Sequence, residues 1–256
     1  IGKCPNKICR EDVRYFTHEA RSGAYEELRR LFLACMIWGW GRGGRYKQGL
    51  KNTKAALSAS RLEKVLERAK SQISHSQIAE AYLDFELARC GAAFFTKFFY
   101  FLGWEYQIKP LPLILDIHVA NFLEFLSKRE GWDISIFVEV DNRKKDGRIS
   151  SFKRYIKGYI QYICSMDDWA KEIGCPAADN LEYFMFKQDK KETSLREHSR
   201  EETMGRKIDK AVEKNKKYLN EARGFCQQKG LGNESRMIDD MDWPATWRLR
   251  KGGTGG

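Results

Sequence analysis

The sequence predicts an all-α protein, and three observations support this. Apolar side chains recur at helical spacing along most of the chain, for example at Leu28, Leu31, Phe32 and Cys35. Strand signals are few. Residues 134–140 are the best candidate but have no evident partner, so we expect a helix or an irregular segment there. With 42% hydrophobic and 13% aromatic residues in a chain of 256, a sizeable core can be buried.

The periodic segments define the expected helices in chain order. They cover about residues 24–38, 54–70, 74–89, 96–102, 116–129, 150–172 and 181–187. The third and fourth are separated by a short turn at Cys90–Phe95, so together they form a helical hairpin. Asp116 stands where it can cap the N-terminus of the fifth helix.

Net charge indicates the class of partner. The chain carries 46 Lys and Arg against 35 Asp and Glu, which gives a formal charge of +11. Such an excess favours a polyanion, most simply nucleic acid. No apolar run approaches the ~20 residues of a membrane span and no signal peptide is visible, so we expect no membrane contact.

The seven cysteines indicate a reducing compartment. Their number is odd, their spacing is irregular, and no Cys-x-x-Cys pair occurs. Cys35 and Cys164 lie in apolar helical stretches, where reduced core thiols are common. This usage suits the cytoplasm and predicts neither a metal site nor another cofactor.

Composition changes near Lys187 and predicts two regions. Residues 1–187 would form a helical domain, and residues 188–256 a charged helical extension with a flexible Gly-rich tail. Sparse apolar positions in the extension suit long helices packed by one narrow stripe. Residues 243–251 are typical of a docking or DNA-contacting tail.

One segment concentrates the candidate chemistry. Gly91 lies in a short turn that opens the helix carrying Lys97, and Asp116 stands nineteen positions after Lys97, behind a proline-bounded loop. A helix opened by a tight turn presents backbone N–H groups that bind phosphate without reading sequence. We expect Gly91 to supply a left-handed turn conformation, and Lys97 to lie in the first turn of its helix.

The pair Lys97 and Asp116 suits attack on a sugar carbon. A lysine near a helix N-terminus or in a desolvated pocket is more readily the free amine, which can attack carbon. At C1′ of a deoxyribose, such an attack displaces the base and leaves a Schiff base. An ionised Asp116 can stabilise the cationic sugar or assist the attacking amine or water. In one cleft, the two groups could break a glycosidic bond in DNA.

The motifs Thr96-Lys97 and Leu115–His118 together resemble the helix-hairpin-helix DNA glycosylase superfamily, and within it the 8-oxoguanine glycosylase branch. That branch has a Thr-Lys pair at the exit of the hairpin and an aspartate in a Val-Asp-Val-His context, with the same lysine-to-aspartate separation. By this resemblance, Lys97 corresponds to the nucleophilic lysine and Asp116 to the catalytic aspartate. His118 corresponds to a residue near the DNA phosphate.

The resemblance spans roughly residues 24–187 and implies a helix-hairpin-helix glycosylase-like bundle of about 8–10 helices, with two lobes flanking a cleft for DNA and the base. The family hairpin usually has glycines where Ala93 and Phe95 stand here, and we expect the family's additional N-terminal β-domain to be absent. The chain therefore resembles a compact prokaryotic relative of the 8-oxoguanine glycosylase fold, and the identity of the excised base stays open.

The remaining candidate contacts form two groups. The expected DNA contacts are Gly91, Thr96, His118, Trp40, Arg42, Arg45 and Lys47. The expected base pocket comprises Phe94, Phe95 and Trp38. The Gly-rich basic loop at 39–47 corresponds to a family loop that inserts side chains into the duplex. A Trp can fill the gap left by an extruded base, and an Arg can pair with the orphaned base. We expect Trp40 to be exposed for this role.

These features predict a DNA glycosylase that flips and excises a modified base from double-stranded DNA, acting as a monomer. A Schiff base at Lys97 would add strand scission by β-elimination. By resemblance, compact prokaryotic relatives are candidates for defence against phages with bulky modified bases, beside ordinary base excision repair. Two alternatives stay open: a non-catalytic helix-hairpin-helix module that grips phosphates, and an RNA-binding or partner-docking helical protein.

Overall fold

The computed structural model describes residues 8–22, 24–40 and 46–198. Within these ranges the chain forms nine α-helices and one two-stranded sheet, so the all-α prediction is confirmed. The helices are α1 (Arg10–Ser22), α2 (Tyr25–Trp40), α3 (Tyr46–Leu57), α4 (Leu62–Ser74), α5 (Ile78–Asp84), α6 (Ala92–Glu105), α7 (Ile117–Glu130), α8 (Ile156–Glu172) and α9 (Ala178–His198). The strands β1 (Val140–Arg143) and β2 (Ile149–Phe152) are antiparallel.

The described residues fall into two compact units. Those within 1–117 and 135–164 form unit 1, and those within 118–134 and 165–256 form unit 2. No helix in the described ranges is long and apolar enough to cross a bilayer.

Helix α6 is the centre of the unit 1 core because its sequence is apolar around the whole circumference. Ten of its fourteen residues are buried. The ring of Phe98 meets Phe32 of α2 edge to face at 5.9 Å between centroids, and Phe95 meets Phe85 at 5.2 Å. A fully buried Phe side chain contributes about 1.5–3 kcal/mol relative to an exposed one. The aromatic run therefore fixes α6 between its neighbours.

Two of the predicted helices that precede α6 differ from the observed ones. The helix expected at 54–70 is two helices, α3 and α4, because the small residues 58–60 end α3 and the N–H of Leu62 bonds back to the carbonyl of Ala59. The helix expected at 74–89 is the shorter α5, preceded by Ser76 at φ +60°. Helix α1 was not predicted.

The β-hairpin was also missed. Residues 134–140 contain a short 3-10 helix at Ile134–Ile136, in agreement with the expected irregular segment, but β1 then begins at Val140. Its partner β2 lies in the range that we assigned to the start of the helix at 150–172. Gly147, at φ +83°, closes the connecting turn with a hydrogen bond from its N–H to the carbonyl of Lys144.

Helix α9 is longer than the predicted 181–187. It runs without a break through the domain boundary that we expected between residues 187 and 188. The part of the charged extension beyond residue 198, including 243–251, lies outside the described residues.

Candidate active site

The predicted hairpin consists of α5, a linker at 85–91 and α6. Arg154, which lies between β2 and α8, holds the end of α5 because its guanidinium donates to the carbonyl oxygens of Tyr82 and, at 2.8 Å, Phe85. The same guanidinium carbon lies 4.9 Å from the centroid of the Phe95 ring on α6. A single side chain thus contacts both helices of the hairpin.

Gly91 is the N-cap of α6, but its conformation differs from the prediction. Its φ of −77° and ψ of 175° are extended rather than left-handed, because the turn into α6 is made by an ordinary cap. Its carbonyl accepts the N–H groups of Phe94 and Phe95, and no side chain caps the helix. A Cβ added to Gly91 would meet nothing within 4 Å. The backbone at the start of the first turn of α6 is therefore open, although Ala92 and Phe95 in that turn are buried.

Thr96 is buried and links two segments of unit 1. Its side chain is fully shielded, and its hydroxyl donates to the carbonyl of Ala92 at 2.6 Å. The same oxygen accepts the N–H of Leu115 at 3.3 Å. The prediction that the Thr96 side chain contacts DNA conflicts with its position, because the side chain is fully buried and its hydroxyl both donates and accepts a hydrogen bond inside the protein. The bond instead connects the turn carrying Lys97 to the loop that ends at Asp116.

Lys97 lies in the second turn of α6, as its sixth residue, and not in the first turn as predicted. The residue is 6% exposed, and its Nζ donates to the carbonyl of Ala93. The Nζ is 5.5 Å from the centroid of the Phe94 ring. A Cβ added to Gly39 of α2 would lie 3.1 Å from the Lys97 Cδ. Gly39 therefore provides the space in which this side chain lies.

Two thiols share this environment. Burial raises the pKa of Cys90 to about 12, although the nearby cations Lys97 and Arg154 act in the opposite direction. Burial likewise raises the pKa of Cys35 far above its ordinary value, with Lys97 again opposing. Both groups are neutral thiols at physiological pH and are not nucleophiles there.

The aromatic residues near Lys97 do not follow the prediction in full. Trp40 is half-buried rather than exposed, because its ring packs on Phe94 at 4.5 Å between centroids and against Gly49, whose added Cβ would lie 2.6 Å from the indole. The buried Trp40 Nε1 has no hydrogen-bond acceptor among the described residues. Phe94 itself is half-buried.

The other two predicted pocket residues lie elsewhere in the core. Phe95 is fully buried among Tyr82, Phe85 and Phe99, so it cannot line a pocket open to a base. The half-buried ring of Trp38 meets Phe101 edge to face at 5.6 Å. Of the three, only Phe94 contacts the Lys97 environment through its ring.

Asp116 is half-buried and directly precedes α7, the position expected of an N-cap. The loop before it packs closely on α6, since a Cβ added to Gly103 would lie 2.5 Å from the Pro112 ring. His118 belongs to unit 2. Its Nδ1 is 2.7 Å from Asp189 of α9, and its ring meets Phe186 edge to face. The side chain of His118 is 29% exposed, and its contact with phosphate stays a prediction.

Three predicted DNA contacts cannot be placed. Arg42 and Arg45 lie outside the described residues, and so does the side chain of Lys47. Within the described ranges, no group of three or more His, Cys, Asp and Glu side chains is arranged to hold a metal ion.

Sequence reasoning missed several residues that shape this site. Arg154 falls in the helix expected at 150–172, Gly39 in the loop at 39–47, and Asp189 in the charged extension, and none of the three was singled out for the site. Only for Gly39 does the sequence carry a usable signal, since a glycine one helical turn after Met36 breaks an otherwise bulky apolar run. The roles of the other two depend on long-range contacts.

Comparison with known proteins identifies the family of the chain. No curated protein and no solved structure matches the chain. A family model described as "Putative 8-oxoguanine DNA glycosylase OGG-like protein" matches residues 2–186, which include the hairpin, Lys97 and Asp116. The resemblance inferred from the two motifs is thereby confirmed, and the chain belongs to this OGG-like family.

Proposed function

We propose that this protein is a DNA glycosylase that excises a modified base from double-stranded DNA, with Lys97 as nucleophile and Asp116 as its acidic partner. The observation that carries the proposal is the hydrogen bond between Thr96 and Leu115. It joins Thr96 and Leu115, the residues that immediately precede Lys97 and Asp116 in the chain. Both candidate residues are therefore next to the same buried contact.

The reaction begins when Lys97 releases its contact with the Ala93 carbonyl and, as the neutral amine, attacks C1′. The C1′–N bond breaks, and its electron pair leaves with the base, which takes up a proton. The Asp116 carboxylate stabilises the positive charge that develops on the sugar. Loss of the amine proton and cleavage of the C1′–O4′ bond, with O4′ protonated, then give the Schiff base.

The Schiff base can react in two ways. Water can hydrolyse it, which regenerates the Lys97 amine and leaves an abasic site. Alternatively, removal of a C2′ proton expels the 3′ phosphate by β-elimination, so the strand is cut before hydrolysis. The ratio of cleaved strand to intact abasic strand measures whether β-elimination or hydrolysis dominates.

Two features support duplex DNA as the partner. The chain carries a formal charge of +11. The N-cap of α6 is open at Gly91, and the positive end of the helix dipole there favours a phosphate. Fully buried aromatic residues of α6 pack directly after its first turn.

Base release from a panel of duplexes tests the proposal. Each duplex carries one oxidised, alkylated or bulky modified base, and abasic sites are counted. We expect release of at least one base by the wild type and none by Lys97→Gln. The matched control is Lys109→Gln, because Lys109 is an exposed lysine of the same unit. Absence of release by the wild type across the panel would contradict the proposal.

The panel also distinguishes repair from defence against phages. Defence predicts that hypermodified phage DNA acquires abasic sites while unmodified host DNA does not. Repair predicts release of an oxidised or alkylated base. Toxicity of the protein to a host with unmodified DNA would argue against defence.

A non-catalytic hairpin module is the competing function, and the engagement of the Lys97 Nζ by its own helix favours it. Such a module would bind DNA with a steep salt dependence and release no base. Equal DNA binding by wild type and Lys97→Gln, with no abasic product from either, would favour this alternative.

A further inference from the structure

Three consecutive residues before Asp116 are each held by a hydroxyl group from another element. The Leu113 carbonyl accepts the hydroxyl of Tyr159 at 2.9 Å, and the Ile114 carbonyl accepts that of Tyr162 at 3.0 Å. The N–H of Leu115 donates to Thr96, as described above.

These bonds lie deep in unit 1. Leu113, Ile114 and Leu115 are at most 2% exposed, and both tyrosines are fully buried. Buried backbone groups outside secondary structure must find partners, because leaving them unpaired is unfavourable. The loop conformation therefore depends on the side chains that supply those partners.

The two tyrosines approach the loop from the same helix. They are three positions apart on α8 and so lie on the same face of the helix. The ring of Tyr159 is itself stacked on Tyr82 at 4.8 Å between centroids, with an interplanar angle of 24°. Both hydroxyls thus approach the loop from buried side chains on one helix face.

We propose that Tyr159 and Tyr162 are positioning residues that place the Asp116 carboxylate by fixing the main chain directly before it. This inference rests on the proposed function. The tyrosines touch no reacting atom and act only through the loop. A displacement of about 1 Å at a reacting group can cost ~10²-fold in rate, so loss of such a restraint is measurable.

The first test compares Tyr159→Phe and Tyr162→Phe, singly and together, with Tyr82→Phe. The Tyr82 hydroxyl accepts the N–H of Tyr155 at 3.3 Å, so this control also removes a buried hydroxyl but leaves residues 113–115 untouched. We expect the double variant to slow single-turnover base release about tenfold with unchanged DNA affinity. The control should retain the wild-type rate.

The same substitutions in an Asp116→Asn background test whether the tyrosines act through Asp116. If they do, their effect on the remaining rate disappears there. An effect of equal size in both backgrounds, or a double variant no slower than Tyr82→Phe, would overturn the inference. Should the double variant not fold, each single variant allows the same comparison.

Amide hydrogen exchange separates failure of this inference from failure of the proposed function. Removal of the two hydroxyls should speed exchange at Leu115 and Asp116 well beyond its value in Tyr82→Phe. This measurement needs no enzymatic activity. Unchanged exchange at these two amides would overturn the positioning role, whereas an inactive wild type with faster exchange in the variant would contradict only the glycosylase assignment.

Discussion

The first and second turns of α6 differ sharply in their surroundings. At the start of the first turn, the N-cap Gly91 is exposed and an added Cβ would meet nothing within 4 Å, although Ala92 and Phe95 in that turn are buried. At the second, Thr96 is fully shielded and Lys97 is 6% exposed. One helix thus has an open end suited to a phosphate and, one turn later, a closed environment suited to a lysine that must be held in place.

Under the proposed function, we expect this difference to separate DNA binding from the chemical step. Substitutions at the open turn should change DNA affinity and leave the chemical step intact. Substitutions around the closed turn should slow the chemical step and leave affinity intact. A variant that lowers DNA affinity and the rate of the chemical step to the same extent would contradict this separation.

Apart from replacement of the nucleophile Lys97 itself, the largest effect is expected from Asp116→Asn. Removal of the negative charge deprives the developing cationic sugar of its stabilising partner, so single-turnover base release should fall by ~10²-fold or more. DNA affinity should change little. Asp168→Asn is the control, because Asp168 is 70% exposed. Base release by Asp116→Asn at the wild-type rate would show that this role is wrong.

A smaller effect is expected from Gly39→Ala. The new Cβ would lie 3.0 Å from the Phe94 ring and 3.1 Å from the Lys97 Cδ, so the lysine must shift. Base release should slow by about tenfold, since a small displacement of the nucleophile weakens its alignment. The melting temperature should hold or rise, because Ala favours a helix more than Gly. A rate of base release equal to that of the wild type would show that the space at Gly39 does not determine the position of the Lys97 side chain.

The smallest effect is expected from Gly91→Ala at the open turn. Its φ of −77° is accessible to Ala and the space is empty, so the fold should be unaffected. A methyl group there would hinder close approach of a phosphate, and DNA affinity should fall by about 2- to 5-fold. The rate at saturating enzyme should stay at the wild-type value. An unchanged DNA affinity of Gly91→Ala would show that DNA does not contact the protein at Gly91.

Local patterns in the sequence predicted the helices that carry the site better than the connections between them. The helix expected at 24–38 is α2 (Tyr25–Trp40), and that expected at 116–129 is α7 (Ile117–Glu130). Both have clear apolar periodicity. The break between α3 and α4 and the β1–β2 turn were missed, because they depend on a few small residues and on Gly147 rather than on periodicity.

The candidate residues were predicted from their motifs, whereas the residues that contact the surrounding main chain were not. Lys97 and Asp116 are recognisable from their spacing. Tyr159 and Tyr162 bond to residues 46 and 48 positions away, and Arg154 reaches 69 positions to Phe85. A single sequence carries no signal for such pairs, so residue types typical of core or surface concealed their positioning roles.

Borohydride trapping followed by peptide mapping tests the central claim most directly. The wild type is incubated with a duplex carrying a base that it releases, the Schiff base is reduced, and the covalently modified peptide is identified. We predict a single DNA adduct on Lys97, absent in Lys97→Gln and present in Lys109→Gln. An adduct on another lysine, or base release without any adduct, would contradict Lys97 as the nucleophile.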